Sequence, residues 1–243
     1  VIQQSFCSAR DLEEIGIASN AIQEIPLAQR RRAIKSASGV LAPYLRKRQG
    51  LPLIPRIDDE EFDTSGMTGG ALVTHDNGPA VHARDVLVTF TTSGVVGVAG
   101  IMYTLTLDAG AFGAVPSVAQ ALPLTGILAL DGYTFTLSGT ITEDDSFSYS
   151  ARVDSGAATA VAQVAAYLLL GARGIDPKTL EVLKAQADQA TKWAKDISVG
   201  EGDLDEDADT TPQVAEAGPR FTGQRTPWQF LGLGSGNRGG ADF

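Results

Sequence analysis

What this chain lacks narrows it first. It has one cysteine, Cys7, in 243 residues. That excludes an intrachain disulfide framework and any multi-cysteine zinc site. It has two histidines, His75 and His82, and a metal site there would have to recruit Asp76 or Asp85. Basic charge is scarce: Lys and Arg total 19 against 29 Asp and Glu, a net charge of −10. This argues against broad nucleic-acid binding or an anionic membrane surface as the main task. No apolar run approaches the ~18 residues of a membrane-spanning helix. The residues Val1, Ile2, Gln3 and Gln4 lack the basic-then-apolar pattern of a signal peptide. No Ser-His-Asp, Cys-His or His-Glu-x-x-His arrangement is visible, and the acids cluster in linkers. The expectation is a protein without catalysis, cofactor or metal.

What is present is unevenly distributed. Residues 1–56 carry nine basic and four acidic side chains, residues 57–155 two and thirteen, residues 156–199 five and four, and residues 200–243 three and eight. The pattern of side chains divides in the same places. In the first segment, Asp11–Ile15 is a short helix candidate stopped at Gly16. Leu27, Ile34, Ala37, Leu41 and Tyr44 then fall on one face of a helix that opens near Pro26 and ends at Gly50 and Pro52. In the third segment, Ala160, Val164, Tyr167, Leu168 and Gly171 predict a helix over about 157–172. After Gly174, the pair Asp176-Pro177 caps another, whose stripe is Leu180, Leu183, Ala187, Ala190, Ala194 and Ile197.

The second segment changes period. Val86–Thr92 is β-branched and aromatic. Tyr103, Leu105 and Leu107, then Tyr133, Phe135 and Leu137, then Phe147, Tyr149 and Ala151 alternate with polar residues. Turn markers separate these runs: Gly94, Gly97, Gly100, Asp131-Gly132 and Asp144-Asp145. The fold class expected is α+β: a small helical bundle interrupted by an inserted antiparallel β-sandwich or barrel of five or six strands, with an extended C-terminal arm. The boundaries read as helical domain 1–56, acidic linker 57–83, β-domain 84–155, helical domain 156–200 and arm 201–243.

Three segments carry a resemblance: Ala33–Leu53 (AIKSASGVLAPYLRKRQGLPL), Val164–Gly171 (VAAYLLLG) and Ala190–Leu204 (ATKWAKDISVGEGDL). In a match that covers about 100 of the 243 residues, they resemble the Mu-like helical branch of the tailed-phage head–tail adaptors, or connectors. The insert, with LVTFTTSGVVGVAGIMYTLTLDAGAFG and GYTFTLSGTITEDDSFSYSA, resembles a β-module of phage structural proteins. The resemblance implies a virion structural protein at the head–tail interface, present in the host cytoplasm during assembly. It implies a ring of about twelve adaptor subunits that docks on the portal protein, extends the DNA channel without binding DNA specifically, and meets tail or tail-completion proteins. A carbohydrate- or host-surface-binding module is the alternative, and a small hydrolase a third option.

The candidate contact residues follow from that reading. In the arm, Phe221, Arg225, Pro227, Trp228 and Phe230 are expected to bind the portal or a neighbour, because exposed aromatics favour docking. On the first long helix, Arg30, Arg31, Arg32 and Lys35 are either a contact, for the acidic surface of a neighbouring subunit in preference to DNA phosphates, or a solvated face. Other patterns carry little. Gly234–Gly239 fits G-x-G-x-x-G but follows no strand and opens no helix. Asp203, Asp205, Asp207 and Asp209 alternate like a calcium loop, yet Ala208 and Val214 stand where glycine and glutamate are required. Cys7 has no local histidine partner.

Overall fold

The computed structural model describes residues 4–16, 19–49, 54–76, 78 and 82–199. The architecture is α+β, with antiparallel sheets between two sets of helices. Helix α1 (Ala9–Glu13) opens on a reciprocal cap. The Ser8 hydroxyl accepts from the Asp11 N–H at 3.2 Å, and the Asp11 carboxylate accepts from the Ser8 N–H at 2.6 Å, so two otherwise unpaired donors are satisfied. Helix α2 (Ser19–Gln23) is a short turn that buries Ile22. Helix α3 (Leu27–Gln49) starts directly after Pro26 and buries Ile34, Ala37 and Leu41 of the predicted face together with Leu45, which the spacing does not predict, while Leu27 and Tyr44 are half-buried.

Helix α4 (Ser155–Gly171) is capped by Asp154, whose carboxylate accepts from the Ala157 N–H at 2.7 Å. It departs from the one-faced helix expected. Ala157, Ala160, Val161, Val164, Ala165 and Leu169 are buried around most of its circumference, while Leu168 is 40% exposed. The reason is position: α4 packs against α1, α3 and helix α5 (Pro177–Val199), and a helix covered on several sides is apolar nearly all round. Its many alanines let the neighbours approach closely. At Gly156 a Cβ would lie 2.9 Å from Cζ2 of Trp193 on α5, so only glycine fits under that ring. Helix α5 keeps its predicted stripe, with Leu183, Ala187, Ala190, Ala194 and Ile197 buried. Phe6, Cys7 and Leu12 join these helices in one core.

A second core belongs to the strands. Strands β1 (Arg56–Asp63), β3 (Arg84–Phe90), β5 (Met102–Leu107), β6 (Gln120–Ala121) and β10 (Ser146–Arg152) form one antiparallel sheet, in the order β1-β10-β3-β5-β6. Strands β2 (Leu72–Asp76), β7 (Ile127–Leu130) and β8 (Tyr133–Ser138) form another, in the order β2-β8-β7, and β4 (Gly94–Val95) pairs with β9 (Thr140–Ile141). Inward residues of the two larger sheets meet as an aromatic cluster. The Phe135 ring lies 5.3 Å from Phe147 and 4.9 Å from Tyr149, centroid to centroid. The turn Asp131-Gly132 has φ of 48° and 94° and joins β7 to β8 with Leu130 opposite Tyr133. Positive φ at both turn residues is the hairpin geometry that Asp-Gly favours.

The segment 57–83, expected as a linker, contributes strands β1 and β2. Acid-rich β1 was illegible as a strand because it is an edge. Its register shifts between Ile57 and Phe62, and an edge strand tolerates charge that a central strand would not. The two crossings between the cores lie side by side, since Arg56 pairs with Arg152 and Ile57 with Ala151. The Tyr133 hydroxyl donates to the Pro55 carbonyl at 2.8 Å and fixes the first crossing.

Candidate functional site

Two features stand out on this scaffold: an ionic junction between the two cores, and a charge-poor flank on the β-domain. The junction is built on Arg30, which is 1% exposed. Its Nε donates to the Ile25 carbonyl at 3.0 Å, Nη1 pairs with Glu13 of α1, and Nη2 donates to the Phe112 carbonyl. Glu13 in turn accepts from the Phe112 N–H at 3.0 Å and from Gln23 Nε2 at 3.4 Å. One buried pair therefore holds both backbone groups of Phe112, in the segment that follows β5. A buried charge persists only when paired and hydrogen-bonded in this way.

A second and a third link run beside it. Arg31 Nε donates to Asp108 Oδ2 at 2.5 Å. Asp108 has φ of 57° and closes the end of β5. Arg152 Nη2 donates to Asp85 Oδ1 at 2.6 Å and lies 3.8 Å from Asp11 of α1. Burial pushes the Asp11 carboxyl up, against the pull of Arg152. The Cys7 thiol is pushed well up by burial and then by Asp11, which suppresses thiolate chemistry. His82 is held at about 4, by burial, Arg84 and Lys35, and its Nδ1 lies 3.2 Å from the Ser5 hydroxyl. The His75 ring lies tilted against Phe62, 4.6 Å between centroids. Among the described residues, no three His, Cys, Asp or Glu side chains gather as a metal would require, and no helix is long and apolar enough to cross a membrane.

Of the basic cluster on α3, Arg30 and Arg31 are thus engaged within the chain, Lys35 is half-buried, and Arg32 is the exposed member. As a subunit contact Arg30 is corrected by its burial. Phe221, Arg225, Pro227, Trp228 and Phe230, like the whole arm 201–243, lie outside the described residues. The roles of Glu13, Asp85, Asp108 and Arg152 escaped sequence reasoning because each bonds a group more than sixty residues away.

The flank has a signal that the sequence does carry. Between Val86 and Leu130 the only charged residue is Asp108. The part after β5 runs along that strand's free edge. The Ser117 N–H donates to the Leu105 carbonyl at 2.7 Å and the Leu122 N–H to the Ile101 carbonyl at 2.9 Å, and Pro116 bridges Thr106. Phe112, Val115, Val118 and Leu124 are exposed along it, Val118 by 86%. Val98 and Val95 continue the strip, since Gly97 lies beside the Leu124 carbonyl. Apolar area with charge depleted is the composition of an interface centre.

No family model matches the chain, and no curated protein matches it. Flagellar proteins are among the solved structures it resembles. FlgL of Xanthomonas campestris is 12% identical with a TM-score of 0.28, over 74% of this chain and 56% of that one. The flagellar junction protein FlgL of Legionella pneumophila is 17% identical with a TM-score of 0.28, over 63% and 51%. The flagellar hook associated protein-3 of Legionella pneumophila is 13% identical with a TM-score of 0.26, over 93% and 88%. The chain thus spans little more than half the length of the first of these.

This corrects the resemblance drawn from sequence. The neighbours are flagellar junction proteins and not head–tail adaptors. The portal, tail and ring partners, the virion location and the carbohydrate- or host-surface-binding alternative are withdrawn with it. The words that carried the resemblance were short helix endings such as Tyr-Leu and Tyr-Leu-Leu, which any helix closing on an apolar face produces. At these TM-scores the flagellar likeness assigns this chain no role.

Proposed function

We propose that the chain is a non-catalytic structural protein of a larger protein assembly. It acts as a rigid coupler that holds a β-domain at a fixed setting on a helical bundle. The observation that supports this is the buried Glu13–Arg30 pair gripping the backbone of Phe112. The Arg31–Asp108 pair, and Arg152 of β10 lying 3.8 Å from Asp11 of α1, work to the same end. Buried ionisable groups at a catalytic centre converge on a space that a substrate can enter. Here they converge on the chain itself, and their hydrogen bonds run between elements. The pairs fix one geometry between the two cores, a use of buried ion pairs suited to specificity of form rather than to turnover.

The face the coupler presents is the flank Phe112–Leu124, apolar, uncharged and exposed. Its neighbour in the assembly is a protein surface of matching apolar, charge-poor character. Replacing Val115 and Val118 by Asp tests this. Both side chains are exposed, so the thermal melt should stay within ~0.5 kcal/mol of wild type. Incorporation of the full chain into its native assembly, followed by gradient sedimentation from cells that carry only the variant, should fall about tenfold. Wild-type incorporation would remove the flank as the docking face. Turnover of an ester, phosphate or glycoside substrate that is lost on replacing a junction carboxylate by its amide would remove the non-catalytic reading.

A further inference from the structure

A groove of about 470 Å³ runs between the start of α3 and the end of α4, on the helical domain and separate from the β-domain flank. Leu168 and Leu169 form its floor, and Arg32, Arg173, Gln29 and Ser36 its walls. No acid lines it, in a chain whose net charge is −10. Arg46 is held by Gln4 and the Phe6 ring rather than by an acid, but five other arginines among the described residues have carboxylates. Arg10, Arg30, Arg31, Arg84 and Arg152 each face a carboxylate. Arg32 and Arg173 have no acidic partner among the described residues, and the one hydrogen bond between the two walls runs from Arg173 Nη2 to Gln29 Oε1 at 3.1 Å. The first turn of α3 also carries no acid; the positive end of its dipole offsets the negative end of α4, and the two arginines set the sign of the groove.

We infer that this groove binds an acidic peptide segment of a partner protein, with a leucine-sized side chain on the Leu168–Leu169 floor and flanking carboxylates on Arg32 and Arg173. Charge complementarity selects the occupant. Guanidinium groups take carboxylates in paired hydrogen bonds, and an apolar floor takes a side chain that phosphate-rich ligands lack. A nucleic acid would need several phosphate contacts to bind at physiological salt, and two arginines in an acidic chain do not provide them.

The probe is a short fluorescein-labelled peptide with two leucines flanked by aspartates, added to the full chain and followed by anisotropy. Saturable binding that weakens with salt is expected. Arg32→Glu and Arg173→Glu should each weaken it about tenfold or more, and Leu168→Gln several-fold, with the melting temperature unchanged because all three side chains are exposed. Four results would overturn the inference. They are absence of saturable binding; equal binding of a peptide with asparagine for aspartate; equal competition by a single-stranded oligonucleotide; and a tenfold tighter wild-type site once the six acids of residues 201–209 are replaced by amides, which would make the chain's own acidic run the occupant.

Discussion

The two cores of this protein are filled by opposite means. The helical core is built of small side chains: Ala157, Ala160, Ala165, Ala166, Ala190 and Ala194 are buried where α4 meets its neighbours. The β-core is built of large ones, with Phe90, Tyr133, Phe135, Phe147 and Tyr149 meeting between sheets. Helices in contact approach to within 8–10 Å, and only small residues leave room for a central helix covered on several sides. Facing sheets stand ~10 Å apart, and aromatic rings fill that space. The two domains therefore fail in opposite ways, one by overfilling and the other by emptying.

The largest expected effect is in the β-core. Phe135→Ala removes a fully buried ring that contacts Phe147 and Tyr149, and the cavity should cost about 3–5 kcal/mol. Denaturant unfolding followed by near-UV circular dichroism checks this; a loss under ~1 kcal/mol would mean that the sheets collapse onto the gap. The matching change in the helical core is Ala165→Leu, at a fully buried position on α4. Overpacking there should cost about 1–3 kcal/mol, read from the same transition. A neutral or stabilising result would show slack around α4 and break the contrast.

The smallest effect is in pH dependence. His82 titrates at about 4 in the folded chain, against an ordinary value of 6.5, because it is partly buried beside Arg84 and Lys35. The unfolded chain binds that proton first. The stabilising contribution is full above pH ~6.5 and is lost as pH falls from there toward about 4. His82→Gln should flatten that part of the stability curve, measured as melting temperature against pH. An unchanged slope would place the titration elsewhere. Below this window Asp145 takes over. Burial works to raise its carboxyl, but hydrogen bonds from Thr142, Thr68 and Gly69 outweigh it and hold it low. Its share is present above the ordinary carboxylate range and is lost as pH falls through the lowered value.

The sequence by itself determined the elements that repeat a period. The face of α3, the stripe of α5 from Leu183 to Ile197, the alternation of β8 and β10, and the Asp131-Gly132 hairpin are local, and each pattern states its own geometry. It also carried, unread, the run from Val86 to Leu130, with Asp108 as its single charge, that marks the flank. Tertiary structure decided the rest. Whether α4 had one buried face or nearly all of them depended on how many neighbours covered it. Whether β1 was a linker or an edge strand depended on β10 offering it hydrogen bonds. Whether Arg30 and Arg31 faced solvent or a buried carboxylate depended on Glu13, Asp108 and the backbone of Phe112. These partners lie up to 82 residues from the arginines they hold. A charged side chain has the same local pattern exposed or paired, and only the energy of desolvation met by a distant partner separates the two.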